Sequence, residues 1–230
     1  MSRILTISFG LLLALFCVPP AFADTCAAGL PAGDVCYDLN VPTIGGGQYY
    51  AQVAIQQLNP NPTTNPAADS VQVTVTLSDA TKFAKTGGPH TTFAFDLATA
   101  NLPASDFSIC PSGTCTASQW ASSMGGSFDA GTYGTFDYHI DLSSSGASGD
   151  VTGPLVFDIT TSGITAASFI NSSSGYRFAA DVCSPGAIGG ACTGEVARLP
   201  EPPTPFFLGA GLLALVVFYR RRQPVRARSH

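Results

Sequence analysis

The amino-acid sequence predicts an all-β domain, an antiparallel β-sandwich or jelly roll, stapled by local disulfides. Three observations carry this prediction. Apolar and polar residues alternate over many short segments, clusters of turn-forming residues separate those segments, and six of the seven cysteines fall into three close pairs. Many short alternating strands with few helical stretches are typical of sandwiches and jelly rolls.

Alternation identifies the strands one by one. In residues 71–77 every odd position is apolar and every even position is polar, as in a strand with one buried face. The same pattern predicts strands at 49–58, 91–97, 136–142, 155–160 and 176–182, with shorter ones at 37–41 and 107–110. In the segment 176–182, Tyr176, Phe178, Ala180 and Val182 are predicted to share one face.

Clusters rich in Gly, Pro, Asn and Ser predict the turns between these strands. They lie at 45–47, 59–66, 86–89, 125–126, 143–149 and 171–175. Two segments, 116–124 and 164–170, have the composition of a short helix. The sequence shows no internal repeat and no linker, so we predict a single β-rich extracellular domain over residues 24–198.

The cysteines outside the N-terminal segment are predicted to form disulfides between neighbours in sequence, each closing a short loop that contains Gly or Pro. The pairs are Cys26 with Cys36, Cys110 with Cys115, and Cys183 with Cys192. Six cysteines allow 15 pairings, and proximity favours this one. A zinc site is the alternative, but the spacings are not those of a zinc ribbon, and only His90 and His139 precede the tail as nitrogen ligands.

The N-terminal segment has the three parts of a secretory signal peptide. Arg3 supplies the positive start, residues 4–18 are apolar, and Ala21-Phe22-Ala23 is a small-residue cleavage site. We therefore predict a signal peptide over residues 1–23. Cys17 raises the alternative of a lipoprotein, which the bulky Phe16 before it disfavours.

The C-terminal segment contains three elements in order. Pro200-Glu201-Pro202 comes first, an apolar span follows at 206–219, and Arg220-Arg221-Arg222 closes it. The span has 14 residues, fewer than the roughly 20 that an untilted helix needs to cross a bilayer. The positive-inside rule places the arginine cluster on the cytoplasmic side and the preceding domain outside.

These three elements resemble the PEP-CTERM sorting signal of Gram-negative bacteria, here over residues 199–230. The resemblance implies that an exosortase, a membrane-embedded processing enzyme, recognises the tail and removes it. It also implies a setting of exopolysaccharide and biofilm. A plain C-terminal membrane anchor with a stiff proline spacer is the alternative.

The charge of the domain between the two signals excludes some partners. From Asp24 to Leu199 there are 13 aspartates and Glu195 against four basic residues, a net charge of −10. Nucleic acid and anionic lipid require clustered Lys and Arg, so neither is expected as a partner.

The segment Asp137-Tyr138-His139-Ile140-Asp141 is the strongest candidate for chemistry. On a strand Asp137, His139 and Asp141 project from one face, where two carboxylates and an imidazole can bind a divalent cation or orient a general base. Alternation alone also explains the pattern as the solvated face of an amphipathic strand. We favour that interpretation, and predict no catalytic residue and no metal site.

Calcium and sugar binding are weaker candidates. The segments 129–131 and 148–150 contain aspartate and glycine, but neither has the spacing of a calcium loop, and both are predicted to be ordinary turns. No cofactor is expected. Trp120 can stack on a sugar if it is exposed, but we predict that it packs at the edge of the core.

The sequence therefore predicts a non-catalytic exported protein of the cell surface or extracellular matrix, with a structural or adhesive role. The resemblance to PEP-CTERM proteins implies an exosortase and extracellular polysaccharide as partners, with transient insertion in the inner membrane before display or secretion. A carbohydrate-binding module and a hydrolase centred on Asp137, His139 and Asp141 are the alternatives.

Overall fold

The computed structural model describes residues 34–42, 50–58, 69–78, 81–85, 91–144, 151–183 and 194–197. The predicted signal peptide, the sorting segment 199–230 and both ends of the domain 24–198 lie outside the described residues, so these boundaries stay predictions. Within the described ranges no helix has the length and apolar character that a membrane crossing requires.

The described residues form two antiparallel sheets, with 3-10 turns of three residues as their only helices, which confirms the all-β prediction. The strands are β1 Val35–Leu39, β2 Val41–Pro42, β3 Ala51–Gln57, β4 Ser70–Leu77, β5 Lys82–Phe83, β6 Phe93–Leu97, β7 Phe107–Ile109, β8 Trp120–Asp129, β9 Thr135–Leu142, β10 Leu155–Thr160, β11 Phe169–Ile170, β12 Phe178–Cys183 and β13 Gly194–Ala197. The 3-10 turns are Ala104–Asp106, Pro111–Gly113, Ala117–Gln119, Gly131–Tyr133 and Ala166–Ser168.

Most neighbours in the two sheets are distant in sequence. The five-stranded sheet has the order β1-β3-β4-β10-β7, and the eight-stranded sheet has the order β2-β13-β12-β6-β9-β8, with β5 pairing with β12 and β11 with β6. In the first sheet Val53 lies opposite Val75, and Val73 lies opposite Phe157. The inward positions of adjacent strands are therefore in register, which gives that sheet one continuous apolar face.

Aromatic rings fill the space between the sheets. Phe95 of β6 is fully buried, and its ring centroid lies 5.4 Å from that of Phe157 in the opposite sheet. On its own side it lies 5.5 Å from the ring of Tyr138 and 5.7 Å from that of Phe169. Phe95 is thus a central contact between the two layers, at ring separations typical of favourable aromatic pairs.

Three predictions for local segments are wrong, two of them in β8. Residues 116–124 are not a helix, because only Ala117–Gln119 forms a 3-10 turn before β8 begins at Trp120. Gly125 and Gly126 are not a turn but lie within β8, beside an irregularity in its pairing with β9. Serine and glycine are weak helix formers, and pairing with β9 decides the conformation. The other segment given to a helix, 164–170, holds a 3-10 turn and β11.

Tyr176 does not share the face of Phe178 that alternation predicts for it. The strand β12 begins at Phe178, so period-two alternation does not extend back to Tyr176. Phe178 faces the core between the sheets, whereas Tyr176 packs against a second, smaller apolar cluster.

One predicted disulfide lies wholly within the described residues and is confirmed. Cys110 and Cys115 are joined by an S–S bond of 2.00 Å. Cys36 and Cys183 are disulfide-bonded too, and their predicted partners, Cys26 and Cys192, lie outside the described residues.

Candidate functional site

A row of buried side chains crosses the outer face of the eight-stranded sheet. Ala197 of β13 pairs with Ala179 of β12, Ala179 pairs with Ala94 of β6, and Ala94 pairs with His139 of β9. All four are buried, although one face of an antiparallel sheet commonly meets solvent. The prediction of a solvated face for this part of β9 is therefore wrong at His139.

The end of the β8–β9 hairpin explains why this face is buried. The pairing register of the two strands shifts between Met124 and Phe128, so a bulge interrupts the ladder. Past the bulge, Phe128 pairs with Phe136 and Asp129 with Thr135. We call residues 128–136 the hairpin tip. A bulge bends and twists its strand, which turns the tip toward the outer face.

The hairpin tip packs on the alanine row. Ala130, Tyr133 and Phe136 form one apolar cluster with the three alanines. The ring of Tyr133 meets that of Tyr176 edge-on, with centroids 4.8 Å apart. Gly134, at φ +82°, lies against the Ser174 side chain, where no Cβ would fit. The tip therefore covers the part of this face that holds the alanine row.

His139 lies under the tip and is only 4% exposed. The centroid of the Phe128 ring lies 3.5 Å from that of the imidazole. Nε2 lies 3.6 Å from Oδ2 of Asp141, and Nδ1 is buried with no hydrogen-bond partner among the described residues. Burial lowers the pKa of His139, with the Asp141 charge opposing this and the Lys85 charge adding to it. Burial therefore favours the neutral imidazole.

Both carboxylate oxygens of Asp141 already have partners. Oδ1 accepts a hydrogen bond of 2.9 Å from the backbone N–H of Thr92, and Oδ2 lies 2.8 Å from Nζ of Lys85. The hydroxyl of Thr92 in turn accepts from the N–H of Leu142 at 3.1 Å. Asp141 thus links β9 to the start of β6 and to Lys85, which follows β5.

Asp137 is exposed and belongs to a different group. Its backbone N–H donates a 2.5 Å hydrogen bond to Oδ1 of Asp96, which is 6% exposed. Burial raises the pKa of Asp96; the hydrogen bond from Asp137 opposes this rise and the Asp137 charge adds to it. The structure therefore brings His139 and Asp141 together and pairs Asp137 with Asp96.

His139 and Asp141, the two candidate side chains that the structure brings together, are already engaged by other groups. In the described part of the chain no group of three His, Cys, Asp or Glu side chains could hold a metal ion. The carboxylate of Asp141 is neutralised by Lys85, and Phe128 covers the imidazole that a substrate would have to reach. A general base must lie within hydrogen-bond reach of the proton it removes.

The structure describes one of the two candidate calcium segments. At 129–131 the Asp129 carboxylate accepts a 2.8 Å hydrogen bond from the backbone N–H of Gly131, so this segment is a turn closed by its own aspartate, as predicted. The segment 148–150 lies outside the described residues.

Trp120 is 7% exposed and packs edge-on against Phe83, with ring centroids 5.1 Å apart. The prediction that it packs at the core is confirmed. Its ring is not available to stack on a sugar in this conformation, so the feature that suggested carbohydrate binding serves the core.

Sequence reasoning missed four residues of this region: Lys85, Thr92, Asp96 and Phe128. One signal was present, since Lys85 is one of only two lysines in the chain. The others required the pairing of β6 with β9 and the bulge in β8, which no local pattern reveals.

We expect Asp96→Asn to raise the stability of the protein at pH 7. The amide oxygen can still accept from Asp137, and no charge is left buried. The pKa of Asp96 in the folded state lies above its ordinary 3.8. Below that value the wild type holds Asp96 protonated and pays no cost for a buried charge, and this stability is lost as the pH rises. The gain should therefore vanish below about pH 4 in denaturant unfolding curves. The exposed Asp137→Asn is the control, with a smaller gain expected.

Comparison with known proteins finds no matching family model, no matching curated protein and no matching solved structure.

Proposed function

We propose that this chain is a non-catalytic exported protein of the cell surface or extracellular matrix, sorted by an exosortase and structural or adhesive in role. The observation that carries the proposal is the pair of sequence signals: the signal peptide at 1–23, and Pro200-Glu201-Pro202 followed by an apolar span and three arginines. One directs export and the other resembles a removable sorting tail.

The cysteines support an extracellular location. The Cys110–Cys115 bridge closes a loop of very short sequence separation, and Cys36 and Cys183 are disulfide-bonded as well. Disulfides persist in oxidising compartments and are rare in the cytosol. In the reducing cytosol the domain would lose the stabilisation that these disulfides give.

The arrangement of polar groups supports a structural role. The carboxylate of Asp141 ties three strands together, and the imidazole beside it is buried under Phe128. Arg177 donates a 2.7 Å hydrogen bond to the Tyr37 hydroxyl and a 3.1 Å bond to Asn171, and so links β1 of one sheet to the start of β12 in the other. These polar side chains stabilise the sandwich.

The proposed setting is the exopolysaccharide matrix, and polysaccharide is the proposed partner of the domain. Its net charge of −10 between Asp24 and Leu199 suits a neutral or cation-bridged polymer better than a polyanion. Neither a carbohydrate-binding module nor a hydrolase is favoured by a specific feature, because Trp120 and His139 both lie buried.

The test is the fate of the tail in a Gram-negative host that has an exosortase. The wild type, Glu201→Ala and the neighbouring control Thr204→Ala are compared by intact mass and by cell fractionation. We expect the wild type and Thr204→Ala to lose the apolar span 206–219. Glu201→Ala should keep it and stay in the inner membrane.

A parallel host without exosortase should leave all three proteins uncleaved. If the tail remains intact in every protein in the exosortase host, the sorting proposal is wrong and the plain anchor is correct. If Glu201→Ala is cleaved as completely as the wild type, recognition does not depend on the Pro-Glu-Pro motif.

A further inference from the structure

We propose that the hairpin tip, residues 128–136, is a pH-sensitive cover that closes over neutral His139 and lifts from the sheet when His139 takes a proton. The proposal rests on the geometry of the tip and of the groups around the imidazole. It does not depend on how the chain is sorted.

The tip is built to move as a unit. The bulge between Met124 and Phe128 separates it from the regular ladder of β8 and β9, and two pairs continue the ladder beyond that point. Within the tip, Ala130 N–H bonds to Gly134 O at 2.8 Å, and Gly131 N–H bonds to the Asp129 carboxylate at 2.8 Å. These two bonds lie within the tip.

Apolar contacts attach the tip to the sheet beneath it. Phe128 lies on the imidazole of His139, and Tyr133 lies against Tyr176 and the alanine row. A charge on the covered surface weakens such contacts, because burying an ion without a partner costs free energy.

A proton on Nδ1 of His139 would find no acceptor among the described residues in the closed conformation. In the described part of the chain Nδ1 is buried without a partner, and Nε2 is 3.6 Å from an Asp141 oxygen that also lies 2.8 Å from Nζ of Lys85. Among the described residues the charged groups that act on the imidazole are Asp141 of β9 and Lys85 after β5. In the sheet His139 lies between Ala94 of β6 and Ser123 of β8, and the Phe128 ring covers it. The attraction of a cation for the Phe128 ring cannot satisfy the Nδ1–H.

The direction of the pH effect follows from burial. The pKa of His139 is lowered from its ordinary 6.5, so the closed form binds the proton less tightly than an open form in which both nitrogens reach water. Closure is therefore fully stable above about pH 6.5 and is lost as pH falls through the lowered pKa of the closed form. Opening would expose the apolar row Ala94, Ala179 and Ala197.

Amide hydrogen exchange of the full-length protein tests the proposal. Exchange is measured by mass spectrometry at pH 7.5 and pH 5.0 and corrected for the intrinsic pH dependence of the amides. We expect protection in peptides covering 128–136 to fall at least about tenfold at pH 5.0 relative to peptides from β3 and β4.

Three variants make the test specific. His139→Gln cannot be protonated, so its tip should show the same protection at both pH values. His90→Gln is the matched control and should behave as the wild type. Lys85→Met frees Asp141 to pair with the imidazolium, so it should reduce the acid-induced loss of protection even if His139→Gln folds poorly.

Three results would overturn the proposal. The first is equal protection of the tip at both pH values in the wild type. The second is a loss of protection that spreads equally over β3 and β4, since that is global unfolding. The third is a loss at pH 5.0 that persists in folded His139→Gln.

Discussion

Phe95→Ala is expected to lower the free energy of unfolding by about 3–5 kcal/mol, the usual cost of removing a large aromatic side chain from a packed core. Phe95 is fully buried, and its ring contacts Phe157 in the opposite sheet as well as Tyr138 and Phe169 in its own. The cavity would therefore open between the two layers, where neither sheet can close it alone.

Chemical denaturation of the oxidised protein measures this effect. Ile170→Ala is the control, because Ile170 is apolar but 40% exposed at the end of β11. It should cost less than about 1 kcal/mol. A loss for Phe95→Ala as small as that of the control would mean that the rings between the sheets are not a tightly packed core.

Tyr138→Phe is expected to cost about 1–3 kcal/mol, because it leaves buried polar groups without a partner. The hydroxyl of Tyr138 donates to the carbonyl of Thr99 at 2.7 Å and accepts from the N–H of Leu102 at 3.0 Å. It thereby holds the segment that follows β6 against β9. Removing one oxygen atom leaves the ring packing unchanged, so the cost measures the two hydrogen bonds.

The matched control is Tyr176→Phe. Tyr176 is half-buried beside Tyr133, and its ring contact does not involve the hydroxyl. We expect its unfolding free energy to stay within about 0.5 kcal/mol of the wild type. Equal and small effects for both variants would contradict the structural role given to the Tyr138 hydroxyl.

Strand positions could be predicted where one face of a strand is buried and the other is polar. The segments 71–77 and 155–160 coincide closely with β4 and β10, because the side chains of an extended chain point to opposite faces in turn. β8 could not be predicted in this way. Its Ser and Gly residues carry no alternating pattern, and its conformation comes from pairing with β9.

For the candidate site too, the local pattern could be predicted and the tertiary contacts could not. That Asp137, His139 and Asp141 would alternate with apolar residues on one strand was predictable, and β9 has that form. Their environments were not predictable. Asp141 forms an ion pair with Lys85, which follows β5, and the backbone N–H of Asp137 donates to Asp96 of β6. Both partners come from segments far away in the chain.

The sequence by itself determined that this protein has an all-β domain with alternating strands and a local disulfide between Cys110 and Cys115. These features depend on neighbours along the chain, so local composition is enough to specify them. The tertiary structure alone decided that the outer face of the larger sheet is covered at the alanine row and His139. A bulge in β8 turns the hairpin tip onto that face and buries His139, and no property of residues 137–141 could show it.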